Sequence, residues 1–134
     1  MPKRLKPPTR WAPKRRAICA PTGITASRWK PFSGEKDVFG DGKVVLVPLP
    51  GHTPGTMGAM VNLERDGLFL LTSDAVSLRH NLDTDTAPRN TWNAEALLKS
   101  FAEIRHIERA KATVICGHDD AQWQTLNKGR DAYE

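Results

Sequence analysis

"PLPGHTPGTMGAM", Pro48 to Met60, sets one histidine, His52, between two Pro-Gly pairs where an apolar run ends. Gly51 and Gly55 permit backbone angles closed to other residues, and Pro50 and Pro54 fix theirs. Such a frame holds an imidazole in one direction, which a metal ligand needs. The flanks decide the fold. "KVVLVPL", Lys43 to Leu49, follows an Asp41-Gly42 turn signal and is β-rich. "TMGAMVNL", Thr56 to Leu63, and "LFLLTSD", Leu68 to Asp74, flank Asp66-Gly67, a hairpin signal between two apolar runs.

Further along, "DTDTAPRNTW" is a polar loop and Asn93 is a good N-cap for "AEALLKSFAEIRHIERA". Ala94, Leu97, Leu98, Phe101 and Ile104 fall on one face of that helix. "ATVICGH", Ala112 to His118, reads as a short buried strand, and "DDAQWQTLNKG" as a closing helix with Gly129 near its end. The order is strand, hairpin, helix, strand, helix, which makes the chain α/β.

Three polar residues share one placement. His52 follows strand 43–49, Asp74 ends strand 68–73, and His118 follows strand 113–116 after a glycine. Strand ends are where a sheet offers side chains to a cleft. Two imidazoles and a carboxylate suit a borderline metal such as Zn²⁺. Each alone has a plain structural reading as a turn or cap residue; it is the three together that point to a metal site. His106 sits among Arg105, Glu108 and Arg109 and reads as a solvated side chain, and His80 lies in a loop after Asp74.

The chain has 134 residues and a net charge of +5. That is a one-domain length. The first thirty residues carry nine Lys/Arg and no Asp or Glu, whereas residues 31–134 carry eleven Lys/Arg against fifteen Asp/Glu. The basicity thus belongs to a Pro-rich arm, residues 1–27, read as extended or disordered, and residues 28–134 form the folded part. A uniformly basic nucleic-acid-binding domain would not look like this. No apolar run is long enough to span a bilayer and the basic start lacks a signal peptide's apolar segment, so a cytoplasmic protein is expected. The two cysteines, Cys19 and Cys116, form no CxxC pair and read as inert thiols.

"LPGHTPG", "LLTSDAV" and "VICGHD" resemble the last three metal-ligand motifs of the metallo-β-lactamase superfamily. The intervals of 22 residues from His52 to Asp74 and 44 from Asp74 to His118, with the "GHDDAQWQTL" tail, are most similar to the N-acyl-homoserine lactonase branch. The resemblance covers roughly residues 28–134. It implies the C-terminal half of an αββα sandwich with a two-zinc site at one edge. His52 then completes the first metal position, Asp74 bridges both and has the catalytic role, and His118 completes the second. The implied activity is opening of a small lactone or ester substrate, which for an acyl-homoserine lactone quenches a quorum signal.

The family's earlier His-x-His-x-Asp-His motif is absent, and Ser77 stands three residues after Asp74, where this branch often has tyrosine. The chain's one tyrosine is Tyr133. The resemblance therefore implies a truncated metallohydrolase of reduced or no activity alone. Three alternatives stand beside it: a glyoxalase II-type thioester hydrolase, polyanion binding by the basic arm with Trp11 and Trp29, and self-association. Half a sandwich leaves an apolar sheet face open, and such a face predicts a homodimer.

Overall fold

The computed structural model describes residues 30–134. Residues 1–29, with the basic arm, Trp11, Cys19 and Trp29, lie outside the described residues.

The apolar runs form one five-stranded sheet in the order β1 (Lys36–Asp37), β2 (Val44–Pro48), β3 (Met57–Leu63), β4 (Gly67–Leu71), β5 (Thr113–Ile115). The hairpin expected at Asp66-Gly67 is the β3–β4 pair, antiparallel with Val61 opposite Phe69 and Ala59 opposite Leu71. Gly67 takes φ +81° there, a left-handed angle that favours glycine. β5 joins β4 in parallel, with Leu70 beside Val114. A parallel neighbour requires a crossover, and the helix α2 (Ala94–Arg109) supplies it.

Period-two alternation gives the sheet two different faces. The row Val45, Met60, Leu70 and Val114 runs across the face beneath α2. The core on that side contains Val47, Leu49, Leu70, Leu97, Phe101, Ile104, Val114 and Cys116. The opposite row, Leu46, Ala59, Leu71 and Ile115, is apolar as well, and Leu71 is 43% exposed. On that second face Tyr133 lays its ring against Phe69, centroids 4.7 Å apart. The architecture is that of the C-terminal half of an αββα sandwich, with one sheet and its covering helix.

Asn93 caps α2 as its sequence predicts, its Oδ1 accepting from the Ala96 amide at 2.9 Å. The helix face needs correction. Leu97, Ser100, Phe101, Ile104 and Ile107 are buried, whereas Leu98 is 39% exposed and Ala94 is also exposed. Leu97 and Leu98 lie 100° apart, so either could face the core on spacing alone, and packing under the sheet selects Leu97.

A short helix, α1 (Arg79–Thr84), occupies part of a stretch read as loop. The closing helix α3 (Asp120–Thr125) is shorter than its sequence suggests, and Gly129 belongs to a separate 3₁₀ turn. No helix among the described residues is long and apolar enough to cross a membrane.

Candidate metal centre

The three strand-end residues converge at one edge of the sheet. Asp74 lies in a 3₁₀ turn, Ser73–Ala75, just beyond β4. The buried Thr72 anchors this turn, since its backbone N–H and its hydroxyl both donate to the Ile115 carbonyl at the end of β5, at 3.0 and 2.9 Å. His118 lies just beyond β5, so the parallel pairing of β4 with β5 brings the two side chains to the same edge. His118 Nε2 donates to Asp74 Oδ1 at 2.7 Å. A carboxylate oxygen only accepts, which places the imidazole proton on Nε2.

Gly117 makes this approach possible. A Cβ there would lie 2.6 Å from the Ser73 carbonyl oxygen, closer than any real side chain comes. The absence of a side chain lets the two loops run side by side, joined by Gly117 N–H to Val76 O at 2.8 Å and His118 N–H to Ser77 O at 2.9 Å. Ser77 thus contributes its backbone to the site's scaffold.

His52 comes from the β2–β3 connection. Its Nε2 faces the other Asp74 oxygen, Oδ2, at 4.0 Å. Three successive carbonyls hold this loop against the start of α2. Pro50 O accepts from the Ser100 hydroxyl at 2.7 Å, Gly51 O from the Asn93 amide at 3.0 Å, and His52 O from the Trp92 amide at 3.1 Å. Within the loop the Thr53 and Thr56 hydroxyls bond at 2.8 Å. Of the Gly/Pro frame, Gly51 is required by its surroundings and φ of +148°. Gly55 has an ordinary φ and open space around it, so the expected need for glycine there does not hold.

Ser100 is a buried hydroxyl that sequence reading passes over. Ser100→Ala leaves the Pro50 carbonyl without its partner, and a loss of about 1–2 kcal/mol is expected. Urea denaturation measures it, and an unchanged midpoint would show that this tie contributes nothing.

The three candidate side chains differ in exposure, at 23% for His52, 44% for Asp74 and 68% for His118. His80 and His106 are both exposed, on α1 and α2. Cys116 is buried, and burial pushes its thiol up to about 11, which favours the protonated thiol at neutral pH. Beside His118 lies an open hollow of about 280 Å³ lined by Cys116, Gly117, Asp119, Asp120 and Trp123.

The donor types suit zinc, but their number does not. Asp74 offers one oxygen toward each imidazole, so each side of the carboxylate has two protein donors where a catalytic zinc takes three. Among the described residues no group of three or more His, Cys, Asp or Glu side chains is placed to hold a metal ion, His52, Asp74 and His118 included. These residues alone do not make a catalytic metal centre, and no reaction step follows from them through a metal.

Asp119 was missed by sequence reading. Its carboxylate accepts from the Gln122 amide at 2.9 Å and from the Arg79 amide at 2.8 Å, and these bonds hold it below the usual carboxylate range. Gln122 in turn accepts from the Cys116 amide and donates to the Val114 carbonyl, both at 2.8 Å. The N-cap signal of Asp119 is readable from sequence, but its tie to Arg79 is not.

No family model matches the chain. It is 31% identical over 99 residues to the N-acyl homoserine lactonase AttM of Azorhizobium caulinodans, covering 73% of this chain and 38% of that protein. It is 34% identical over 92 residues to an N-acyl homoserine lactonase of Bacillus cereus, covering 65% of this chain and 36% of that one. Among solved structures, an N-acyl homoserine lactone hydrolase with its product N-hexanoyl-L-homoserine bound at the catalytic metal centre superposes with a TM-score of 0.67 at 27% identity. That match covers 78% of this chain and 41% of the other. The chain spans about two-fifths of the length of these relatives.

Proposed function

We propose, for a chain related over about three quarters of its length to the N-acyl homoserine lactonase branch of the metallo-β-lactamase superfamily, that it serves metal-dependent opening of a lactone ring, with His52, Asp74 and His118 as its share of the metal ligands. One observation carries this reading. The two oxygens of a single carboxylate each face the Nε2 atom of a different histidine. A merely structural aspartate at a turn would be saturated by nearby backbone amides, as Asp37 is by Phe39, Gly40 and Gly42. Zinc is the metal we assign to these donors, because imidazole and carboxylate together are a set it takes readily.

The chain's own residues aim the donors. Thr72 and Gly117 hold the Asp74 and His118 loops together, and α2 holds the His52 loop. No further donors stand beside them among the described residues, so we assign this chain by itself reduced or no activity. Acyl-homoserine lactones are the substrate class we favour over glutathione thioesters, since the relatives are named as lactonases and one holds an acyl-homoserine product.

The test is ring opening of N-hexanoyl-homoserine lactone by the full chain, followed by proton release with and without added zinc. Slow, zinc-dependent opening that Asp74→Ala removes is expected. Opening no faster than in buffer overturns catalysis by this chain alone.

A further inference from the structure

We infer that Asp119 is a positioning residue that holds the His118 imidazole on the Asp74 carboxylate by clasping the two chain segments that carry them. The inference rests on the proposed reading of His118 and Asp74 as site residues. His118 has a 68% exposed side chain, so little packing fixes its direction, yet its Nε2 sits 2.7 Å from Asp74 Oδ1. Its aim must come from the backbone beneath it. That backbone is joined to the segment following Asp74 by three successive links: Gly117 N–H to Val76 O, His118 N–H to Ser77 O, and the Asp119 carboxylate to the Arg79 N–H. The third link is the one made by a side chain.

Each oxygen of Asp119 has a separate task. Oδ1 caps α3 through the Gln122 amide, the ordinary role of an aspartate at a helix start. Oδ2 reaches forty residues back to the first residue of α1. Arg79 is a firm anchor, because its guanidinium pairs with Glu108 of α2 at 2.5 Å and with Asp83 at 2.9 Å. The clasp therefore ties the end of the His118 loop to a helix start that α2 already holds. Capping alone needs one acceptor, whereas the clasp needs both.

Serine separates the two tasks. It caps helices about as well as aspartate, but it is too short to hold a second segment at the same time. Asparagine keeps the shape, yet only one of its terminal atoms accepts, and its NH₂ would meet an N–H.

The experiment is the ¹⁵N–¹H spectrum of the histidine rings in the full 134-residue chain, at one fixed neutral pH, for the wild type, Asp119→Ser and Asp119→Asn. The wild type is expected to show His118 as a single tautomer with its proton on Nε2. In both variants that signature is expected to give way to the averaged signal of an unbonded ring, while the backbone amides of α3 in Asp119→Ser and of β3 and β4 in both stay in place. A His118 signature retained in Asp119→Ser would falsify the clasp and leave Asp119 a helix cap only. Zinc added to the wild type separates this inference from the reading beneath it. If the His118 ring ignores zinc while Asp119→Ser still disturbs it, the positioning stands and the metal-site reading falls.

Discussion

Asp74→Ala is expected to remove zinc binding from the chain, whereas His52→Ala and His118→Ala each weaken it without removing it. The asymmetry follows from the geometry. Asp74 presents Oδ1 to His118 at 2.7 Å and Oδ2 toward His52 at 4.0 Å, so it contributes to both sides of the site and each histidine to one. Loss of an outer partner of a metal ligand costs roughly 10–100-fold in affinity, and loss of a ligand shared by two positions costs more. The fold is expected to survive all three changes. Asp74 is 44% exposed and His118 is 68% exposed, and an ion pair at such exposure contributes little to stability. Calorimetric titration of the chain with zinc reads the affinities, and far-UV circular dichroism checks that each variant is folded. Equal affinity in Asp74→Ala and the wild type would move the zinc elsewhere and remove the main support for the lactone-hydrolase reading.

Much of the fold could be read from the residues because local physics decides it. The β3–β4 hairpin follows from two apolar runs around Asp66-Gly67, and the start of α2 follows from Asn93. Where local physics is neutral, tertiary packing decides. Leu97 and Leu98 carry the same side chain on adjacent positions, and only contact with the sheet buries the first. The six residues of α1 are too few to show a helical period, and the helix is held instead by the Arg79–Glu108 pair and by Asn81 Oδ1 accepting from the Leu78 amide.

The site divides in the same way. That His52, Asp74 and His118 each follow a strand is legible, and the sheet order brings them to one edge. The devices that aim them are not legible. Ser100 bonds to Pro50 across fifty residues, and Asp119 to Arg79 across forty. Neither pairing leaves a trace in spacing or composition. A short polar residue beside a candidate ligand can thus be an ordinary cap in sequence and a tie to a distant segment in the fold, as Asp119 is.

Gly51→Ala is the backbone counterpart of the Asp74 change and is expected to destabilise the whole fold. A Cβ at this position would lie 2.4 Å from Leu97 Cα and 2.6 Å from Leu97 N. Those atoms belong to the helix backbone, so no rotamer change relieves the overlap, and α2 itself must retreat. The φ of +148° adds strain for any residue with a side chain. Overpacking costs about 1–3 kcal/mol and a residue in a sparsely populated backbone region about as much again, giving a loss of roughly 2–6 kcal/mol. Typical domains have about 5–15 kcal/mol of stability in all. Retreat of α2 would also break the bonds from Asn93 to Gly51 and from Ser100 to Pro50, so His52 would lose its aim in the molecules that remain folded. Gly55→Ala is the matched control. It lies four residues away in the same loop, has open space around it and an ordinary φ, and is expected to change stability by less than about 0.5 kcal/mol. Urea denaturation of the two variants beside the wild type decides the matter. A large drop in midpoint for Gly51→Ala alone supports close packing of α2 on the His52 loop as the device that fixes this imidazole. Similar midpoints in both variants would mean that the frame around His52 is not set by α2.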